Sequence, residues 1–223
     1  MIICNGTPKT GTHLLTKLLK NAKLQQLDGS LIYRDPSIKM RQKGENPPSL
    51  EGLLSKDDNI FTHAHVTCDD YSRNVFSKLK HVFIIRNPRN VAISWLRQRV
   101  TQSSNINLCA ECLVDLISRG IFGQSIPEHY RKYIDWIHHG NTCVVHYENL
   151  LDLSSKEYQK IYSYLQIDTR THNTFTLGNS VTWTGKPSDW TQSSLWTAEV
   201  ETAWKNAGGE SLEESLGYNM NHA

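Results

Sequence analysis

Two stretches of this 223-residue chain combine residue types and spacings suited to gripping an anion. The first is Gly6-Thr7-Pro8-Lys9-Thr10-Gly11, preceded by the apolar run Met1–Asn5 and followed by Leu14, Leu15, Leu18 and Leu19 at helical spacing. Strand, glycine loop and helix in that order aim backbone N–H groups and the positive end of a helix at one point. The GxxxxG spacing is that of a Walker A loop, but the residues that follow are Thr12 and His13, not Lys and Ser or Thr. Without the lysine that reaches the β- and γ-phosphates and the hydroxyl that holds Mg²⁺, a Mg-nucleoside triphosphate is a poor fit. Lys9 stands inside the loop instead, where it can neutralise a single phosphate and a leaving oxygen. The second stretch runs from Phe83 to Trp95 (FIIRNPRNVAISW). Arg86 leaves the end of a β-branched and aromatic run, Pro88 suits a first helical position, and Ser94 lies about two turns further on. An arginine at a strand's carboxyl edge beside a helix start can fork onto a phosphate, with a hydroxyl as an extra donor. Arg89, Arg97 and Arg99 read as a solvated face. Two anion cradles on one sheet suggest a ligand with phosphates at both ends, bound outside the carboxyl ends of the strands.

The elements that must position these residues follow from pattern. Met1–Asn5, Asn59–Thr62, His81–Ile85 and Thr142–His146 read as buried strands. Helices are expected from Thr12 to about Ala22, at Tyr71–Leu79, from Pro88 onward, and at Leu108–Ile121, Pro127–His138, Ser154–Leu165, Ala198–Asn206 and Glu210–Leu216. Leu27–Leu54 is polar and rich in Gly, Pro and Asn, and reads as loops around short elements. Strands alternating with helices predict an α/β fold, a three-layer sandwich with a central parallel sheet covered on both faces. The length suits a single domain spanning 1–223.

Composition narrows the function. The 24 basic and 22 acidic residues leave a net charge of +2, too small for a protein that coats nucleic acid, so any anion is held locally. No apolar run is long enough to span a membrane, and the N-terminus lacks a signal-peptide pattern. Five scattered cysteines fit a reducing compartment better than a disulfide framework, and a cytoplasmic location is expected. Cys109-Ala-Glu-Cys112 has no second CxxC to complete a zinc site; Leu113, Leu116 and Ile117 place Cys112 on a buried helical stripe. The Trp183–Trp204 cluster reads as packing, with Trp183 or Trp196 bordering an acceptor pocket as the alternative.

Taken together, the motifs resemble those of sulfotransferases that use 3′-phosphoadenosine 5′-phosphosulfate (PAPS). PKTGTHLL is similar to the family's 5′-phosphosulfate loop and RNPRNVAISW to its 3′-phosphate motif. VVHYENLL resembles its Y-E-D/N-L segment, GKPSDW its G-x-x-G-D-W loop, and Leu216–Tyr218 its ending. The resemblance runs in order from Thr7 to Tyr218 and implies a P-loop-like sulfotransferase fold, PAPS as co-substrate and no metal. It implies that Lys9, Thr10, Gly11, Thr12 and His13 hold the 5′-phosphosulfate, with Lys9 also steadying the bridging oxygen as the sulfuryl group departs. Arg86 and Ser94 would hold the 3′-phosphate, and Tyr147 would lie near the adenine. The basic pair usual before Gly185 is replaced by Trp183 and Thr184, leaving Lys186 as the nearby cation, and Ser188 replaces a glycine. The family's dimer motif, which begins with a Lys after the loop tryptophan, is missing, since Thr191 follows Trp190.

Sulfuryl transfer to a hydroxyl or amine needs positioning, charge stabilisation and a base. The resemblance puts a catalytic histidine in NIFTHAHVTCDD, and His65 aligns best; imidazole titrates in the right range. His63, on the same strand face, and Asp69 or Asp70 stand as alternatives. The His-x-His pair also suits a metal, but no third ligand accompanies it. The expected activity is sulfuryl transfer from PAPS to a small-molecule or glycan acceptor. A P-loop-type small-molecule or nucleotide kinase and a non-catalytic nucleotide-binding module are the alternatives.

Overall fold

The computed structural model describes residues 1–34, 37–41, 57–120, 123–152, 155–168 and 189–218. Its packing divides the chain into two units, Met1–Ile85 with Asp135–Leu177 and Arg86–Ile134 with Gly178–Ala223.

The first unit holds a six-stranded sheet in the order β3-β2-β4-β1-β5-β6. Its strands are β1 (Ile2–Gly6), β2 (Gln25–Arg34), β3 (Ser37–Arg41), β4 (Ile60–His65), β5 (Lys80–Ile85) and β6 (Thr142–His146). All neighbours pair in parallel except β2 with the edge strand β3. β1 lies between β4 and β5 and is buried along its whole length, as a central parallel strand covered on both faces must be. Alternate residues serve opposite faces. Ile2 and Cys4, with Val82, Ile84, Cys143 and Val145, meet Leu14, Leu15, Leu18 and Leu19 of α1 (Thr12–Asn21) and Tyr158, Ile161, Tyr162 and Leu165 of α6 (Lys156–Leu165) in one apolar core. On the other face His81 packs against Phe76 of α2 (Asp70–Phe76) at 5.0 Å and Trp136 of the 3₁₀ turn Asp135–His138 at 4.5 Å between ring centroids.

The sequence reading needs two corrections here. The stretch Leu27–Leu54, expected as loops around short elements, carries most of the ten-residue β2 and all of β3. Polar residues hid the pattern, and the β2–β4 register shifts between Gln26 and Ser30, breaking the alternation a periodicity argument depends on. The strand expected at Asn59–Thr62 continues to His65, because β1 and β2 offer ladder partners on both sides as far as Ala64 and His65.

The second unit is helical: α3 (Pro88–Gln102), α4 (Ala110–Arg119), α5 (Ile126–Ile134), α7 (Ala198–Asn206) and α8 (Gly209–Ser215). Arg89, expected on a solvated face, is 4% exposed. Its Nε donates to Glu213 at 2.7 Å, its Nη atoms pair with Glu201, and its guanidinium lies 4.3 Å from the Trp190 ring centroid. Trp196 and Trp204 complete the surround, donating to Glu201 at 2.8 Å and Glu213 at 3.2 Å. Trp196 is therefore part of this packing. The carboxylate partners stand 112 and 124 residues downstream, beyond the reach of local pattern. Cys112 is half-buried beside the stripe of Leu113, Leu116 and Ile117, and all five cysteines are free.

Two stability predictions follow from these cores. Removing Arg89 leaves Glu213 buried without its cation. Arg89→Leu should therefore cost about 3–5 kcal/mol in urea unfolding, whereas a loss below about 1 kcal/mol would class the cluster with surface ion pairs. In the first unit, burial and then the neighbouring His139 push the His81 pKa down to about 3 from an ordinary 6.5. Between those values the unfolded chain holds the extra proton, so stability falls as the pH falls. His81→Leu should shrink the difference in unfolding free energy between pH 7.5 and pH 5 by about 2 kcal/mol. An unchanged pH dependence would contradict the assignment.

Candidate active site

The anion loop follows the carboxyl end of the central strand. Both of Thr10's donors close it: the amide donates to the Thr7 carbonyl at 3.1 Å and the hydroxyl to the same oxygen at 2.7 Å. The tight turn places Lys9 at a φ of 78°, a left-handed conformation costly for a lysine and a mark of a loop held by its surroundings. The two glycines answer different needs. A Cβ on Gly6 would lie 2.5 Å from the Thr10 hydroxyl oxygen and 2.8 Å from an Ile84 methyl. Gly11 has a φ of 107°, and a Cβ there would lie 2.3 Å from the Tyr147 ring. Gly11 caps α1 without a side-chain hydrogen bond, and no acidic residue sits in the first turn. The Leu14 amide donates to the Gly11 carbonyl at 2.9 Å, while the amides of Gly11, Thr12 and His13 precede any intrahelical acceptor, so the positive end of α1 meets no carboxylate of its own. Tyr147, just beyond β6, is held by its amide, which donates to the Ile85 carbonyl at 2.8 Å.

His65 is fixed to this loop. Its Nδ1 lies 2.8 Å from the Gly6 carbonyl oxygen, an acceptor only, so Nδ1 is the donor in that contact. The chain on either side is pinned as well. The Asn5 side chain donates to the Val66 carbonyl at 3.0 Å and accepts from the Val66 amide at 3.0 Å. Trp136 Nε1 adds a donor to the same carbonyl at 2.9 Å. Asn5 and Trp136 were not singled out from the sequence; a lone amide side chain closing an apolar strand was the available signal.

Three imidazoles gather here. His63 stands 5.1 Å from His65 and 5.3 Å from His13 between ring centroids. Burial first, then His65 and His13, push the His63 pKa down to about 3. His13 is held below its ordinary value by desolvation, then by the cations of Lys9 and Lys17, which places Lys9 in the electrostatic surroundings of that helix start. The carboxylate alternatives are otherwise engaged. Asp69 caps α2, accepting from the Ser72 amide at 2.7 Å, and Asp70 pairs with Arg73. Among the described residues no group of three or more His, Cys, Asp and Glu is arranged to hold a metal.

The second unit carries Arg86 and Ser94, each 6% exposed. Arg86 immediately precedes Asn87, whose side chain accepts from the amides of Arg89 at 3.0 Å and Asn90 at 3.3 Å and so caps α3, with Pro88 in its first turn. Gly185 and Lys186 lie outside the described residues, as do Trp183, Thr184 and Ser188.

Comparison with known proteins bears on this arrangement. A family model of the sulfotransferase domain matches residues 1–182. Among solved structures, mouse sulfotransferase SULT7A1 complexed with PAP aligns at a TM-score of 0.63 and 16% identity, over 98% of this chain and 88% of that one. Retinol dehydratase in complex with androsterone and the inactive cofactor PAP aligns at a TM-score of 0.50 and 17% identity, over 100% of this chain and 82% of that one. No curated protein matches the chain. At these identities the structural likeness speaks for the fold alone. The family match extends over most of the chain, and on that evidence it belongs to the sulfotransferase domain family.

Proposed function

We propose that this sulfotransferase moves the sulfuryl group of PAPS to the hydroxyl or amine of a small-molecule or glycan acceptor, with His65 as the base. The observation that carries the reading is the 2.8 Å contact between His65 Nδ1 and the Gly6 carbonyl. It ties the imidazole to the residue where the anion loop begins and, with Nδ1 donating there, makes Nε2 the nitrogen through which a general base would act. The rivals are weaker on chemical grounds. An imidazole with a pKa near 3, as at His63, draws a proton poorly at neutral pH, and Asp69 is committed to its helix cap.

PAPS fits the residues present. The first-turn amides of Gly11, Thr12 and His13 would take the 5′-phosphosulfate, Thr10 folds the cradle, and Lys9 would meet charge on the bridging oxygen as the sulfur–oxygen bond breaks. Arg86 and Ser94 would hold the 3′-phosphate, with Gly185 and Lys186 as further contacts, and Tyr147 would border the adenine. PAP in mouse SULT7A1 and in retinol dehydratase, and androsterone in the latter, support this substrate class. The family match does not favour a kinase or a non-catalytic nucleotide-binding module. We read 1–223 as one sulfotransferase domain, supported by the extent of the family and structural matches. No helix among the described residues is long and apolar enough to cross a membrane. The five free cysteines favour a cytoplasmic setting.

Label transfer from isotopically marked PAPS to a panel of alcohols, phenols and amines, read by mass spectrometry, tests the activity. His65→Ala should lower turnover on any accepted substrate by about 10²–10⁴-fold and leave PAP affinity within roughly twofold. Near-normal turnover in that variant would remove His65 as the base. Gly11→Ala forces a Cβ into the Tyr147 ring and should weaken PAP binding at least about tenfold in calorimetry; unchanged affinity would contradict the role given to the loop.

A further inference from the structure

Arg86 occupies a gap in the backbone scheme. Arg86 and Asn87 belong to neither β5 nor α3, yet Arg86 is 6% exposed, so its peptide groups need partners within the protein. One side chain serves both. The hydroxyl of Tyr130, on α5, accepts from the Arg86 amide at 3.2 Å and donates to the Arg86 carbonyl at 3.1 Å. The Tyr130 ring is fully buried, so the hydroxyl has little freedom to leave this fork. The amide belongs to the peptide plane before Cα of Arg86 and the carbonyl to the plane after it. Holding both planes fixes φ and ψ at that residue, and with them the direction in which its Cα–Cβ bond points. Asn87 and Pro88 fix the residues that follow through the cap of α3. Tyr130 thus holds both peptide planes of the arginine at the turn between β5 and α3.

We propose that Tyr130 is a positioning residue for recognition of the nucleotide's 3′-phosphate: it aims the Arg86 guanidinium without touching the nucleotide. This rests on the assignment of the 3′-phosphate to Arg86 made above. A guanidinium fork acts on a phosphate only when its plane is correctly presented, so loss of aim lowers affinity for the ligand that carries that phosphate and spares the ligand that lacks it.

Tyr130→Phe keeps the ring and deletes both hydrogen bonds. Calorimetric affinities for PAP and for adenosine 5′-phosphate, which lacks the 3′-phosphate, separate aim from general stability. The PAP affinity should fall roughly tenfold, while that for adenosine 5′-phosphate stays within about twofold and the KM for PAPS rises without a matching fall in kcat. An unchanged ratio of the two affinities overturns the proposal, whatever happens to the melting temperature. Arg86→Ala separates this from the reading beneath it. If Arg86→Ala leaves the ratio unchanged, the 3′-phosphate assignment fails and the Tyr130 role fails with it. If Arg86→Ala lowers the ratio and Tyr130→Phe does not, only the positioning role fails. In the double variant Tyr130→Phe should add no further loss of PAP affinity, since it acts through a side chain already removed. Hydrogen exchange in the unsubstituted chain gives a check that does not depend on the variant folding. The Arg86 amide should exchange more slowly with PAP than with adenosine 5′-phosphate, and equal protection counts against the proposal.

Discussion

The carbonyl of Gly6 is the constraint on which the arrangement of central strand, loop and His65 depends. It ends the central strand, begins the anion loop and accepts the Nδ1 proton of His65 at 2.8 Å. One backbone atom therefore sets both where the loop starts and which nitrogen of the imidazole donates. Gly6 must be glycine for this to work, because Thr10 and Ile84 occupy the space a Cβ would take. The neighbouring strand residues extend the same arrangement: Asn5 is hydrogen-bonded to both backbone groups of Val66, so β4 cannot slide against β1 without breaking that pair. The position of His65 and the position of the loop are two readings of one sheet register.

Charge is handled with comparable economy. A net charge of +2 gives no broad attraction for a polyanion, so the field that matters is local. It comes from a helix start with no acidic residue in its first turn and from Lys9 beside it. The histidines around that point do not add permanent charge, since burial and mutual repulsion keep His63 neutral and oppose protonation of His13. In the second unit Arg89 is answered by Glu201 and Glu213, which makes it a structural cation.

Much of this was legible in the chain because the deciding residues are close in sequence. Strand, glycine loop and helix at 1–22 form a local unit, and Arg86 and Pro88 announce the end of one element and the start of the next. Thr142–His146 and Ala198–Asn206 came out with their observed bounds because apolar periodicity and caps sit inside them. What was missed depends on partners far along the chain. β2 and β3 exist because β4 offers a ladder, not because their polar sequence favours strands. Arg89 looks like a surface residue until two glutamates and three tryptophans from the C-terminal segment enclose it. Tyr130 reads as one more apolar position on a helix, and nothing local says that its hydroxyl meets Arg86.

The central proposal is that His65, its Nδ1 held by the Gly6 carbonyl, acts as the base through Nε2. Long-range nitrogen–proton correlation on ¹⁵N-histidine-labelled protein, with the His65 ring assigned by comparison with His65→Gln, reads the tautomer directly. At neutral pH in the presence of PAP, the ring should be neutral with its proton on Nδ1 and Nε2 unprotonated. A ring with its proton on Nε2, or one doubly protonated under those conditions, would contradict the account.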